Sequence, residues 1–322
     1  MAWQRAGASG ATVSVIGCLW GILAAGAAGG AELVKYCRFR AGETVAYGIV
    51  EGEMVRQLSG DLFGEWSRTQ KTFPLKQVQL LVPTQPTQVV AMAGNYKSHL
   101  GGGATITTVT TVTTIRRDAK TGQVTTQSAT TTETRVAGDI PPKYQIPQPF
   151  FKSVSCLIPH EADIVMPRDA QVVHYEGEVV LVIGRRAKDV PKASALEYVF
   201  GVTCGNDVSE RVWQKNDIQW WRAKGADTFG PCGPFIACGL DYDNLMLQLR
   251  LNGQVKQKES TRQFIHDVAT MVSTISRYVT LEPGDLIFTG TPGEPTSIRP
   301  GDVVEVEVEG VGVLRNRVVA EK

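Results

Sequence analysis

From Val172 onward, apolar and polar residues run in short stretches rich in β-branched side chains. HYEGEVVLVIG (His174–Gly184), YVFGVTCG, LMLQLRLNGQVKQ, DLIFTGTP and DVVEVEVEGVGVLRNRVV each predict strands. Asn252-Gly253 falls between two such runs and predicts a two-residue hairpin turn. Upstream, residues 32–82 carry shorter runs (YCRFR, TVAYGIVEG, MVRQL), punctuated by Ala41-Gly42, Glu51-Gly52 and Ser59-Gly60-Asp61. This predicts a small N-terminal β module. Pro83 and Pro86 mark a linker before a buried strand over Val89–Ala93. Two stretches predict helix, from Asp207 to Gln214 or beyond and from Thr261 to about Arg277. In the second, Phe264, Ile265, Val268, Met271, Val272 and Ile275 follow a 3.6-residue period. The fold class is therefore β-dominated α+β, with no Rossmann or P-loop glycine pattern.

Residues 101–143 stand apart, because they are low in complexity and rich in Thr. Ile106, Val109, Val112 and Ile115 recur every third residue, which on a strand alternates faces and marks no single buried side. With the turn signal DAKTG in the middle, the segment predicts a long two-stranded hairpin. A disordered arm is the competing reading of so polar a composition.

The 322 residues, 43% of them hydrophobic and 20% charged, suffice for a sizeable core. A formal net charge of +1 without a clustered basic face argues against nucleic-acid binding. Six cysteines at 18, 37, 156, 204, 232 and 238 contain no CxxC pair, so they read as small buried hydrophobes. Export would permit a disulfide such as Cys232 with Cys238. Export is suggested by residues 1–31, with one Arg, an apolar run from Ala11 to Ala25, and small-residue sites at Ala25-Gly26-Ala27 or ending at Ala31. An uncleaved membrane anchor is the rival reading. A cleaved signal implies an exported or periplasmic protein; otherwise it is cytoplasmic or membrane-anchored. The expected organisation is 1–31 signal or anchor, 32–82 small β module, and 83–322 main domain with the insert at 101–143.

Candidate chemistry begins at His174–Gly184. Glu176 and Glu178 are two apart on a strand, so they share a face with His174. Adjacent carboxylates repel, which is resolved by solvation, by protonation or by a cation between them. The VVLVI continuation is buried in character, and FGVTCGNDVSER ends a second strand at a third carboxylate, Asp207. Three oxygen ligands suit Mg²⁺, Mn²⁺ or Ca²⁺ and not zinc. Solvated surface acids remain the other reading of these residues taken alone.

HYEGE, NDVSERVWQ, KGADTFGPCGP, LNGQVKQ and LEPGDLIFTGTP stand in the order and at the spacing of the fumarylacetoacetate hydrolase family, which the chain resembles from Pro83 to its end. The resemblance implies a mixed β-sandwich roll with a small N-terminal β module, a divalent cation (usually Mg²⁺ or Mn²⁺) and a homodimer. It places the metal carboxylates at Glu176, Glu178 and Asp207, and a substrate-facing lysine at Lys224. Substrate contacts fall on Gln214 and Thr291, and the general base on His99. Arg211 and Asp227 read as loop-holding residues, His174 as a neighbour of the acids, and His160 and His266 as structural or surface residues.

The implied substrates are small 2-oxo acids or 1,3-dicarbonyls. The implied cation stabilises an enolate as a C–C bond breaks, Lys224 faces the developing oxyanion, and His99 activates water. One departure stands out. The family's hydrolases carry a Glu three residues after the His, whereas HLGGGA places Gly102 there. The carboxylate that orients the imidazole is missing, and the lid segment it begins is replaced by the Thr-rich insert, as a new lid or an arm to another subunit. Three readings follow: a metal-dependent hydrolase cleaving a C–C bond in an acylpyruvate-like acid; a decarboxylase or keto–enol isomerase of a 2-oxo dicarboxylic acid; or an exported binding or assembly protein without turnover. The intact Glu176, Glu178, Asp207 and Lys224 set argues against the third.

Overall fold

Val179, Leu181 and Ile183 point into one apolar cluster, while Val180 and Val182 point into another. The unbroken VVLVI run is thus a strand covered on both faces, Gly177–Ile183. The computed structural model, which describes residues 32–101, 106–117, 122–135 and 140–322, sets this strand inside a twelve-stranded sheet. Its main path runs Trp66–Pro74, Met54–Gly60, Thr44–Glu51, Val34–Ala41, Gly230–Cys238, Val199–Asn206, Gly177–Ile183, Leu286–Phe288, Val89–Met92 and Pro149–Lys152. Neighbours on this path are antiparallel, except that Leu286–Phe288 lies parallel to Val89–Met92. The N-terminal module therefore continues the sheet, through Val34–Ala41 against Gly230–Cys238.

A second sheet has five strands, Asp163–Met166, Gly312–Ala320, Val303–Val308, Met246–Leu251 and Gln254–Ser260. Leu247, Leu249, Val304 and Val306 from this sheet share a core with Val179 and Leu181 from the first. Helix Val268–Tyr278 adds Val268, Met271, Val272 and Ile275 to the same core. Strand-dominated sheets packed in this way match the expected β-rich roll. The Asn252-Gly253 turn forms with φ of 51° and 78°, joining Leu251 to its register partner Gln254.

Both helices start later than their sequence pattern suggests. Thr261–Gln263 is a single 3₁₀ turn, and the α-helix begins only after Asp267, whose Oδ1 accepts from the Thr270 N–H at 2.7 Å. The first helix spans Arg211–Asn216, because Glu210 caps it by accepting from the Trp213 N–H at 2.5 Å. That leaves Asp207 outside the helix, between strand Val199–Asn206 and the two-residue strand Ser209–Glu210.

Within the Thr-rich insert, Ile106–Arg117 and Val124–Arg135 pair antiparallel over twelve residues each, and the turn expected at DAKTG lies, but for Gly122, outside the described residues. Thr111 and Thr130 hydroxyls meet at 3.1 Å, and Val112, Ile115 and Val124 are exposed. The described cysteines are free and mostly buried, as the small-hydrophobe reading expects, and the disulfide that export would permit does not form. Cys232 and Cys238 are free and lie six residues apart on one strand, about 20 Å at 3.3 Å per residue. Residues 1–31, on which the signal or anchor reading rests, lie outside the described residues. Among the described residues no helix is long and apolar enough to cross a membrane.

Candidate active site

The strand Gly177–Ile183 and the end of Val199–Asn206 hold the acids. The Asp207 N–H donates to the Glu176 carbonyl at 2.8 Å, and the Glu176 N–H donates to Asn206 Oδ1 at 2.9 Å. These two bonds fix the chain entering one strand against the chain leaving the other. Glu176, Glu178 and Asp207 are all buried, and one oxygen from each lies within 4.8 Å of the others. The solvated-surface reading of these acids is thereby overturned. His174 lies in a short strand that bridges to Ser297, beside the acids but outside their cluster.

Three bases neutralise the three acids. Lys224 Nζ donates to Glu176 Oε2 at 2.5 Å and to Asp207 Oδ2 at 2.7 Å. Arg211 reaches Glu176 Oε1 at 2.6 Å. Lys152 Nζ, from the sheet's edge strand, donates to Asp207 Oδ1 at 2.6 Å. Its other protons go to the carbonyls of Lys224 and Phe229. Among the described residues, Glu178 is the carboxylate of the three without an ion pair; its Oε2 accepts from the Gly290 N–H at 2.7 Å. Gly290 aims that N–H with φ of +100°, a conformation suited to glycine.

The electrostatics follow from these contacts. Burial pushes the Glu176 carboxyl up, but Lys224, then Arg211 and His99, outweigh it and hold the group below the ordinary range. Burial, followed by the charges of Asp207 and Glu176, pushes Glu178 well above that range. Burial works against the Lys152 ammonium, and Asp207, together with Cys156 and Glu178, more than offsets it. A buried, uncompensated carboxylate beside two others is costly. The donor set therefore fits a hard divalent cation, which would draw one oxygen each from Glu176, Glu178 and Asp207. The nearby Tyr96 hydroxyl, wholly buried and pushed up by burial and by Glu259 and Glu178, has no hydrogen-bond partner among the described residues.

The other expected residues sort into two groups. His99 is close enough to Glu176 to lower its pKa, and its Nδ1 lies 2.7 Å from the Gly293 carbonyl. Ser98 pins the same loop, accepting from the Gly293 N–H at 2.9 Å and donating to Glu259. Thr291 is buried beside the acids, but its hydroxyl donates to the Gly177 carbonyl and accepts from Gln257, both at 2.8 Å. It fastens its loop to the start of the carboxylate strand. Gln214 is half-buried and accepts from Arg211 at 2.8 Å. Asp227 accepts from Ser155 at 2.7 Å, and His266 bonds the Tyr144 carbonyl.

Sequence reasoning missed Lys152, Gln257 and the direct role of Arg211. PFFKS offers no spacing that ties Lys152 to Asp207, fifty-five residues away; only the placement of the edge strand does so. Glu210 was equally hidden: it is fully buried, and its oxygens accept from the N–H groups of Gln171, Val172 and Trp213.

Residues 118–319 match the family model described as fumarylacetoacetate (FAA) hydrolase C-terminal. The chain belongs to the fumarylacetoacetate hydrolase family. Residues 34–83 match a second model, Rv2993c-like, N-terminal. Protein Rv2993c of Mycobacterium tuberculosis is 37% identical over 292 residues, which cover 88% of this chain and 97% of that protein. The 4-hydroxyphenylacetate degradation bifunctional isomerase/decarboxylase of Salmonella dublin is 38% identical over 186 residues, 56% of this chain and 43% of that one. The crystal structure of 2-hydroxyhepta-2,4-diene-1,7-dioate isomerase from Mycobacterium marinum superposes with a TM-score of 0.73 at 35% identity, covering 89% of this chain and 99% of that one. Fumarylacetoacetate hydrolase family members of this kind are enzymes, and this chain carries a buried acidic triad able to hold a cation.

Proposed function

We propose that the protein catalyses proton transfer on a 2-oxo dicarboxylic acid, as a keto–enol isomerase or a decarboxylase that yields the same enolate. The observation that carries this reading is the setting of His99. Its Nδ1 rests on the neutral Gly293 carbonyl at 2.7 Å, and Gly102 stands where a hydrolase would supply a carboxylate. With Nδ1 protonated, Nε2 is left as the basic nitrogen. A carbonyl orients the ring at Nδ1 but does not supply, at that nitrogen, the negative charge of a hydrogen-bonded carboxylate. That suffices to move a substrate proton and is poor for driving water onto a carbonyl. The relatives named as isomerase and isomerase/decarboxylase support the same reading.

A bound Mg²⁺ or Mn²⁺ would act as a Lewis acid toward the keto and carboxylate oxygens. Glu176, Glu178 and Asp207 would hold it, with Ca²⁺ a further candidate for the same oxygens. The protein's own groups supply the rest. Lys224 brings a positive charge to the developing enolate oxygen. His99 Nε2 takes the proton from carbon and returns it to the isomerised position, so no proton is lost overall. In decarboxylation the departing CO₂ leaves its electron pair in the enolate, and a proton is added afterwards. Hydrolysis of an acylpyruvate-like acid is the alternative, and it needs water activation by His99.

We further infer a homodimer. Phe151, Ile218 and Trp221 are exposed around one groove of about 1200 Å³ beside the edge strand Pro149–Lys152. Its lining carries both signs of charge, Lys143 and Arg222 with Asp169 and Asp227, which a self-complementary two-fold contact would pair across the axis.

The deciding experiment supplies the full-length protein and Mg²⁺ with oxaloacetate and, separately, acetylpyruvate. Enol absorbance and products are followed, with Glu178→Ala as the control. Isomerisation or loss of CO₂ from oxaloacetate, abolished in the variant, supports the reading. Cleavage of acetylpyruvate to acetate and pyruvate would replace it with hydrolysis.

A further inference from the structure

We propose that the Lys224 ammonium and the divalent cation are alternative occupants of one seat between Glu176 and Asp207. This rests on the reading that the acidic cluster holds a cation. Glu176 Oε1 is taken by Arg211 at 2.6 Å, and Asp207 Oδ1 by Lys152 at 2.6 Å. Lys152 spends its remaining protons on the Lys224 and Phe229 carbonyls, so it is a fixed counter-ion. The second oxygens, Glu176 Oε2 and Asp207 Oδ2, are both held by Lys224, at 2.5 and 2.7 Å. A cation that draws one oxygen from each acid must therefore take two of its three ligands from Lys224.

The charge balance then names the substrate's charge. Counted with all three acids as carboxylates, the form a bound cation requires, the cluster and its three bases cancel. A dication that displaces the ammonium into the cavity leaves two positive charges in excess. A dianionic 2-oxo dicarboxylate restores neutrality, with the freed Lys224 beside it. Cation binding thus arms the lysine for substrate, and the two ligands bind cooperatively.

The test reads cation affinity without turnover. Mn²⁺ binding to the full-length protein is followed by loss of the free-ion electron paramagnetic resonance signal. Lys224→Met removes the competitor and is expected to tighten Mn²⁺ by about tenfold or more, because a unit charge leaves a buried site. Lys224→Arg, which keeps the charge, gains no such affinity. A second measurement uses the unaltered protein: acetylation of Lys224, read by mass spectrometry, rises when Mg²⁺ is added while Lys152 stays protected. Mn²⁺ that binds the wild type and Lys224→Met equally, or the variant more weakly, overturns the shared seat while leaving the cation site standing. Unchanged labelling of Lys224 overturns it as well. No Mn²⁺ binding by either protein overturns both this inference and the cation reading beneath it.

Discussion

Lys152 Nζ stands 2.6 Å from Asp207 Oδ1, with both side chains out of water. The pair links the sheet's edge strand to the acidic cluster, and the same ammonium grips the carbonyl of Lys224. Removing one partner of a buried pair leaves the other's charge uncompensated. Lys152→Met is therefore expected to lower unfolding free energy by about 3 kcal/mol, read by urea denaturation. Loss of less than about 1 kcal/mol would mean that Lys224 alone satisfies Asp207.

His160 supplies a pH dependence away from the cluster. Its Nδ1 accepts from the Arg315 N–H at 3.1 Å, and burial lowers its pKa from 6.5 despite the opposing pull of Glu161. The folded state therefore binds fewer protons than the unfolded state just below that value. Stability from this group is full above pH 6.5 and declines as pH falls toward the lower folded pKa. His174 is lowered in the same direction, so the two must be separated. In His160→Gln the decline across this window should be shallower in denaturation curves taken at pH 5, 6 and 7. An identical slope would remove His160 from the account.

Asp267 starts the long helix, accepting from Thr270 N–H at 2.7 Å. Asp267→Ala should cost about 1 kcal/mol by thermal unfolding. Turnover should be unchanged, since the residue lies outside the acidic cluster.

The two-fold contact predicts that Trp221→Glu, at a side chain 70% exposed on the groove, yields monomers in sedimentation velocity. A wild type that already sediments as a monomer would dismiss the homodimer.

The Thr-rich hairpin pairs strand to strand with itself, so removing residues 104–138 should leave the melting temperature of the roll within a few degrees. Turnover should fall, because the segment follows directly on the loop bearing His99. Full activity in the shortened protein would discount a lid role.

The sheet was legible where the pattern was local. The VVLVI run fixes a strand with two buried faces, and Asn252-Gly253 fixes a hairpin, because each signal is complete within a few residues. Helix starts were less legible, since Glu210 and Asp267 act through side-chain caps that periodicity does not display. The triad could be proposed because two of its acids share one short segment and the third ends a recognisable strand. Lys152 and Gln257 could not, because their partners are set by which strands neighbour each other. The homology of DLIFTGTP located Thr291, yet only the structure reveals that its hydroxyl is committed to Gly177 and Gln257.

The strand Gly177–Ile183 carries Glu178 while its next residues form the centre of both apolar clusters. Its amides should be among the last to exchange with deuterium, and the acids inherit that rigidity. Room for different substrates then lies in loop residues that make no bond to the acids, such as 294–297, while Gly290 and Thr291 stay tied to the charged anchor. The protein is built as an immobile electrostatic floor beneath replaceable walls.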